Sequence, residues 1–169
     1  MFDYTQAALG ADEPFRLISN DIAEGRPIAA THVFNSFSCT GENVSPHLQW
    51  SGAPRGTKSF AVTCYDPDAP VGWWHWLVFN IPADVSSLAS GASGAGLPQG
   101  AVESITDFGA PGYGGPCPPE GEMHRYVFTV YALSVEKLDL DATAMPGFVG
   151  FMAHMNALGR ATLTATYMR

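Results

Sequence analysis

Three runs of this chain are apolar on both of their alternating faces. In Thr57 to Tyr65, Phe60, Val62 and Cys64 fall on one face and Ala61, Thr63 and Tyr65 on the other. In His124 to Leu133, Tyr126, Phe128 and Val130 oppose Val127, Thr129 and Tyr131, and His75 to Ile81 is apolar nearly throughout. Period-two segments with no polar face belong to strands covered on both sides, so these three predict the middle of a sheet. Weaker runs surround them. Phe15 to Ser19 predicts a short first strand, turned by Glu24-Gly25-Arg26-Pro27. Thr31 to Phe37, mixed in polarity, predicts a second strand near an edge. Val102 to Thr106 predicts a short strand, and Ala161 to Tyr167 a last one in which Leu163, Ala165 and Tyr167 alternate with threonines. Only one stretch has a helical period. Met145, Phe148, Val149, Met152 and Met155 follow it, with Thr143 as N-cap, Pro146 in the first turn and Gly159 as the stop. The helix methionines read as core filler.

The segments between are turn-rich. Ser38 to Gly56 has Leu48 and Trp50 as its anchors into the core. Pro82 to Gly100 is a glycine-rich surface loop, and Asp107 to Met123 is turn after turn. With 18 glycines and 13 prolines in 169 residues, no repeat and no linker, the chain predicts one domain over 1–169, with 1–14 as an N-terminal arm. The sum is a mostly β domain, a large sheet or sandwich with one helix near the C-terminus.

Charge narrows the partners. A net charge of −8 repels phosphate backbones and anionic bilayers at long range, which argues against nucleic acid or a membrane surface. A small anion can still be held locally by backbone N–H groups and histidines. Cys39, Cys64 and Cys117 are odd in number and widely spaced, giving neither a disulfide framework nor a zinc signature, and free thiols fit a reducing compartment. The N-terminus lacks the basic start and apolar run of a signal peptide. No run approaches the ~20 apolar residues of a spanning helix, so the expected location is the cytoplasm.

The chemistry lies at strand ends. If Thr57–Tyr65 and His75–Ile81 pair antiparallel, Asp66, Asp68 and His75 share one edge of the sheet. If His124–Leu133 runs parallel to His75–Ile81, His124 joins them. The facing loop, Gly112 to Tyr126, combines glycines that permit positive φ with stiffening prolines, and its N–H groups could form an anion nest. Such a pocket suits a small anion or a zwitterion, for example a phosphate ester carrying an amine. Each residue also has a plainer reading. Asp66-Pro67-Asp68 in isolation is an Asx-capped turn, with Asp68 the structural member. His75 between two tryptophans could be a satisfied core histidine. Arg125 points to the opposite strand face from His124 and reads as a buried ion-pair partner. Cys117 reads as a small residue in a tight turn, and the tryptophans as packing first. No serine sits in a nucleophile elbow and no metal-spaced His/Cys set exists, so a binding protein without a cofactor ranks first. General acid–base or metal chemistry at Asp66, His75 and His124 ranks last.

The blocks YDPDAP, GWWHW and GYGGPCPPEGEMHRY resemble the phosphatidylethanolamine-binding family, to which the Raf kinase inhibitor-like proteins belong. NVSPHLQWSGAPRGTKSFAVT is similar to its bacterial branch. The likeness spans roughly Phe15 to Tyr167. It implies a large antiparallel-dominated β-sheet packed on a smaller sheet, with a C-terminal helix, and a pocket for phosphate-type anions such as a lipid headgroup. By that match Asp66, Asp68, Trp73, His75, Pro118, Pro119, His124 and Tyr126 are the ligand-binding residues, and the nest reading of the glycine loop adds Gly115. The resemblance also implies, as the alternative function, a protease or kinase inhibitor acting through the pocket rim, and it suggests a homodimer. Cys117 stands where animal members have glycine, the Pro70–Trp73 loop is shorter, and the C-terminal segment that closes the animal pocket has no recognisable counterpart.

Overall fold

The computed structural model describes residues 13–169, so all but the last two residues of the expected N-terminal arm lie outside the described residues. Two antiparallel sheets pack face to face. The smaller contains β1 (Arg16–Ile18), β2 (Leu48–Ser51) and β5 (Ser87–Leu88), in the order β1-β2-β5. The larger contains β3 (Ser59–Asp66), β4 (Trp73–Pro82), β6 (Val102–Glu103), β7 (Met123–Leu133) and β8 (Ala157–Met168), in the order β6-β4-β3-β7-β8. The fold class expected from the sequence is the one observed. β3 is the central strand. It pairs antiparallel with both β4 and β7, so those two strands run in the same direction on either side of it.

Both faces of β3 are covered, as its doubly apolar pattern requires. Phe60, Val62 and Cys64 join Trp76, Val78, Phe128 and Val130 in the core between the sheets, where Leu48 and Trp50 arrive from β2. Ala61, with Leu77, Phe79, Tyr131 and Leu133, forms the second core under helix α1 (Pro146–Met155). Among the described residues no helix is long and apolar enough to cross a membrane.

Four local expectations are overturned. Thr31 to Phe37 is not a strand. Ala30–His32 is a short 3-10 turn, and the backbone beyond it bonds to its own return leg through Gly41 N–H to Phe34 O and Asn43 N–H to Val33 O. The return leg leads into β2, hidden in sequence by its turn-rich surroundings. The helix buries only part of the face expected: Val149 is buried and Met152 packs against the second core, but Gly150 and Ala153 are the other buried residues, while Met145, Phe148, Phe151 and Met155 stay exposed. Close approach decides this, because a Cβ at Gly150 would come within 2.6 Å of the Trp74 ring. Only the small-residue face fits there, and the larger apolar side chains are left outside. The ends differ too. Met145 is the N-cap, without a side-chain bond, Thr143 Oγ1 bonds Asp141, and Asn156 ends the helix by donating its amide to Met152 O at 2.8 Å. Gly159 lies within β8, opposite Ala132.

The fourth correction concerns the cysteines. Cys39 and Cys117 form a disulfide across 78 residues of chain, and Cys64 is the buried free thiol. The reducing compartment inferred from three free thiols loses its premise, since a persistent disulfide belongs to oxidising surroundings. Sequence spacing could not reveal the pair, because only the fold brings the two loops together. Thiol titration of the denatured, unreduced protein should count one reactive cysteine, rising to three after reduction. Reduction should lower the unfolding free energy by about 2–4 kcal/mol, read from the urea midpoint, because the long unfolded loop regains its freedom.

Candidate functional site

Asp66 ends β3 on the face that carries Phe60, Val62 and Cys64, and it is 3% exposed. A buried carboxylate must find donors, and its two oxygens divide the task. Oδ1 accepts the N–H groups of Asp68 at 2.8 Å and Ala69 at 3.2 Å, which closes the turn after the strand. Oδ2 accepts Nδ1–H of His124 at 2.7 Å. The turn-capping reading and the pocket reading of this aspartate therefore describe different oxygens of one group.

His75 owes its position to a β-bulge. Cys64 pairs with Trp76 and Tyr65 with Trp74, so His75 is the extra residue of β4 without a partner on β3. Bulges re-aim a side chain where strict alternation would not. Trp74 turns to the helix-side core and Trp76 to the core between the sheets, and the His75 ring packs edge-on to Phe108 and Tyr126 at centroid distances of 5.4 and 5.1 Å. Its Nδ1 lies 2.6 Å from Gly114 O, and the Gly114 N–H returns a 2.9 Å bond to His75 O. A carbonyl only accepts, so Nδ1 carries the proton of the neutral ring and Nε2 presents a lone pair. Burial pushes the His75 pKa down, against the pull of Gly114 O and Asp66, and the ring is neutral at pH 7.

His124, 4% exposed, is held at both nitrogens: Asp66 takes Nδ1–H, and Glu122 Oε2 takes Nε2–H at 2.8 Å. Burial disfavours its charged form, but the two carboxylates outweigh burial and raise its pKa. Beside it Tyr126 is 1% exposed, and its hydroxyl has no partner among the described residues. Burial, then the charge of Asp66, push the phenol pKa far upward, so the group keeps its proton. Trp73 Nε1–H is a second buried donor without a partner among the described residues.

These side chains enclose a cavity of about 210 Å³. Of the expected residues, Asp66, Trp73, His75, Pro118, Pro119, His124 and Tyr126 line it. Asp68 and Gly115 do not. Asp68 turns outward and grips Arg125 through Oδ1 to Nη2 at 2.8 Å and Oδ2 to Nε at 3.0 Å, also accepting the Arg125 N–H at 2.8 Å. That guanidinium holds its carboxyl down at about 2. The Arg125 side chain is 59% exposed, so this is a surface pair and not the buried one expected. Gly115 serves a close approach, since a Cβ there would sit 2.1 Å from His32 O. Its N–H donates to Asn43 Oδ1 at 2.7 Å, and the N–H of Tyr113 to Ser93 Oγ at 2.9 Å. With Gly114 bonded to His75, the N–H groups of Tyr113, Gly114 and Gly115, in the middle of the expected anion nest, are occupied inside the protein.

The mouth was missed by sequence reading. Phe37 and Ser38 both adopt left-handed backbone, with φ of 55° and 66°. Such geometry is costly without glycine. The adjacent Cys39–Cys117 disulfide ties this turn to the proline loop, and Phe37 reaches the cavity rim beside Phe108. No local signal marks either residue: Phe37 reads as the end of the expected strand Thr31 to Phe37, and Phe108 lies in a turn segment without a period. A larger recess of about 410 Å³ lies beside Glu103 and Tyr113. Its carboxylate already accepts Trp76 Nε1–H, Ser93 O–H and the Gly94 N–H, which makes it a structural fastening.

The structure is thus a two-sheet β domain with a helix on its outer face and, at one sheet edge, a largely apolar cavity with a few polar atoms in its wall. The chain belongs to the phosphatidylethanolamine-binding protein family, whose model matches residues 18–168. It is 51% identical over 157 residues to the UPF0098 protein YbhB of Escherichia coli K12, covering 90% of this chain and 99% of that one. The crystal structure of E. coli YbcL, described as a member of the mammalian PEBP family, superposes with a TM-score of 0.91 at 48% identity, over 93% of this chain and 99% of that one. The PEBP homologue CT736 of Chlamydia trachomatis superposes at 0.77 with 32% identity, over 92% and 97% of the two chains.

Two histidines in one cavity wall should titrate on opposite sides of the ordinary value of about 6.5. NMR titration of the imidazole resonances should place His124 above it and His75 below. The sign for stability follows. The share that charged His124 contributes is complete below about pH 6.5 and is lost as pH rises through its folded value. In Asp66→Asn the His124 titration should move down, and unfolding should become easier by about 3–5 kcal/mol, because a buried charged pair loses one member.

Proposed function

We propose that this protein is a non-enzymatic binding module whose cavity holds a small anionic or zwitterionic group of the phosphate-ester kind. The buried Tyr126 hydroxyl carries the reading. An unpartnered donor inside a protein costs free energy unless something accepts from it, and here Tyr126 and Trp73, whose O–H and N–H have no partner among the described residues, both line a cavity of about 210 Å³. That volume is below the roughly 300–1,000 Å³ of drug-sized pockets and suits a headgroup without acyl chains. The lining has aromatic rings and prolines around a few polar atoms, and it offers no serine, threonine or free thiol to act as a nucleophile. Both nitrogens of His124 are engaged by carboxylates. Such a site is suited to hold a ligand rather than to transform it.

Calorimetric titration with inorganic phosphate and phosphoethanolamine tests the reading. Saturable binding is expected, and Tyr126→Phe should weaken it by about 1 kcal/mol, or roughly fivefold, with unchanged thermal stability or a slight gain. Absence of binding by either compound would sink the proposal.

A further inference from the structure

We infer that the exposed apolar face of α1 is the docking site for residues 1–12 of the same molecule. This surface is separate from the cavity and does not rest on the ligand reading above.

The face is ordered and uncharged. Phe148, Phe151, Met152 and Met155 stand at i, i+3, i+4 and i+7, the spacing of a helix stripe that packs against something. The second core uses Met152 in part, but Phe148, Phe151 and Met155 are 49%, 56% and 64% exposed. The two phenylalanine rings lie nearly parallel, with centroids 6.4 Å apart. The helix carries no Asp, Glu, Lys or Arg. Val149, Gly150 and Ala153 already make the contact with the sheet, so the second stripe is left largely to solvent. A contiguous apolar patch of this kind marks an interaction surface.

The place where the described chain starts points to the occupant. Glu13 and Pro14 pass close over Gly52, where an added Cβ would meet their carbonyl oxygens at 2.7 and 2.4 Å. Phe15 lies against Gly159, its Cδ1 3.8 Å from a Cβ built there. Gly159 stands four positions past Met155, the last residue of α1, so the two are at most about 15 Å apart. Residues 1–12 therefore set out from the corner at which α1 ends. Fully extended they span about 40 Å, against about 15 Å for the helix. The tether is long enough to cover the whole stripe.

Composition and charge favour this segment over a second copy of the chain. It brings Met1, Phe2, Tyr4, Ala7, Ala8 and Leu9, with Asp3 and Asp12 as its charged side chains. A second copy brings a net charge of −8 to a partner of the same sign. A tethered segment is also presented at an effective concentration of about millimolar, whatever the protein concentration. Residues 1–12 lie outside the 18–168 matched by the family model, so they add to the shared domain rather than complete it.

The test is NMR of the methionine ε-methyl groups in the full chain and in a variant lacking residues 2–12. Met152 and Met155 should shift on deletion, while Met123 and Met168, paired at the opposite end of the large sheet, should hold. A peptide of residues 1–12 added in excess should return both resonances towards their full-chain positions. Those positions should not change on dilution of the full chain. In Phe151→Asp, the effect of deletion on Met155 should fall to less than about half its wild-type size, because the two changes act on one contact. Should the deletion variant fail to fold, the full-length chain carrying Phe2→Asp and Leu9→Asp is read in the same way. Met152 and Met155 unmoved by deletion would overturn the inference. Full-chain positions that drift on dilution would overturn it in favour of a second copy. A deletion effect undiminished in Phe151→Asp would overturn it by taking the segment off this face.

Discussion

The Asp66 carboxylate is the constraint on which the site depends. It is buried at the end of the central strand, where a charge survives only if it is fully bonded. Three N–H groups meet that need: two from the turn that leads toward β4 and one from His124 on β7. Every donor belongs to a part of the cavity. The turn carries Ala69 and Pro70 into the wall, and the histidine fixes the start of β7. The cavity is thus assembled around the group that is most costly to leave unsatisfied, and its geometry is coupled to the stability of the sheet edge.

Much of this was legible from sequence. Doubly apolar strands identify themselves, but their directions had to be assumed, and it is the observed antiparallel pairing of β3 with both β4 and β7 that brings Asp66, His75 and His124 to one edge. The division of labour between the two aspartates was also readable, because Asp66 continues a buried strand and Asp68 lies beyond it in the turn. What was not legible depends on contacts that no local pattern encodes. The burial of the small face of α1 follows from the Trp74 ring above Gly150. The Cys39–Cys117 pair follows from two loops that meet only when the sheets are packed. Gly115 looked like part of an anion nest, since glycine-rich loops serve either purpose, and only the His32 carbonyl above it shows that close packing is the reason here.

The cavity mouth is held by means unlike those of its floor. The floor is hydrogen-bonded and charged, while the mouth is aromatic and covalently tied. Phe34 stacks on Phe108 at 4.3 Å, Phe37 joins the cluster, and the disulfide clamps the left-handed turn beneath them. Strained backbone persists only where its surroundings over-determine it. The rim can therefore be rigid although little of its area lies in the core.

The bulge at His75 has a consequence for chain length. Because a strand turns over at every residue, the supernumerary histidine is what lets Trp74 and Trp76 serve opposite cores while the ring between them reaches the cavity. Deleting Trp74 would leave every residue that lines the cavity present, yet without the extra residue His75 would fall opposite Tyr65, on the face that Trp74 now occupies. The spacing of this segment is thus under tighter constraint than its composition. Among homologous chains, a gap at this point in an alignment would signal a lost pocket more surely than a changed letter.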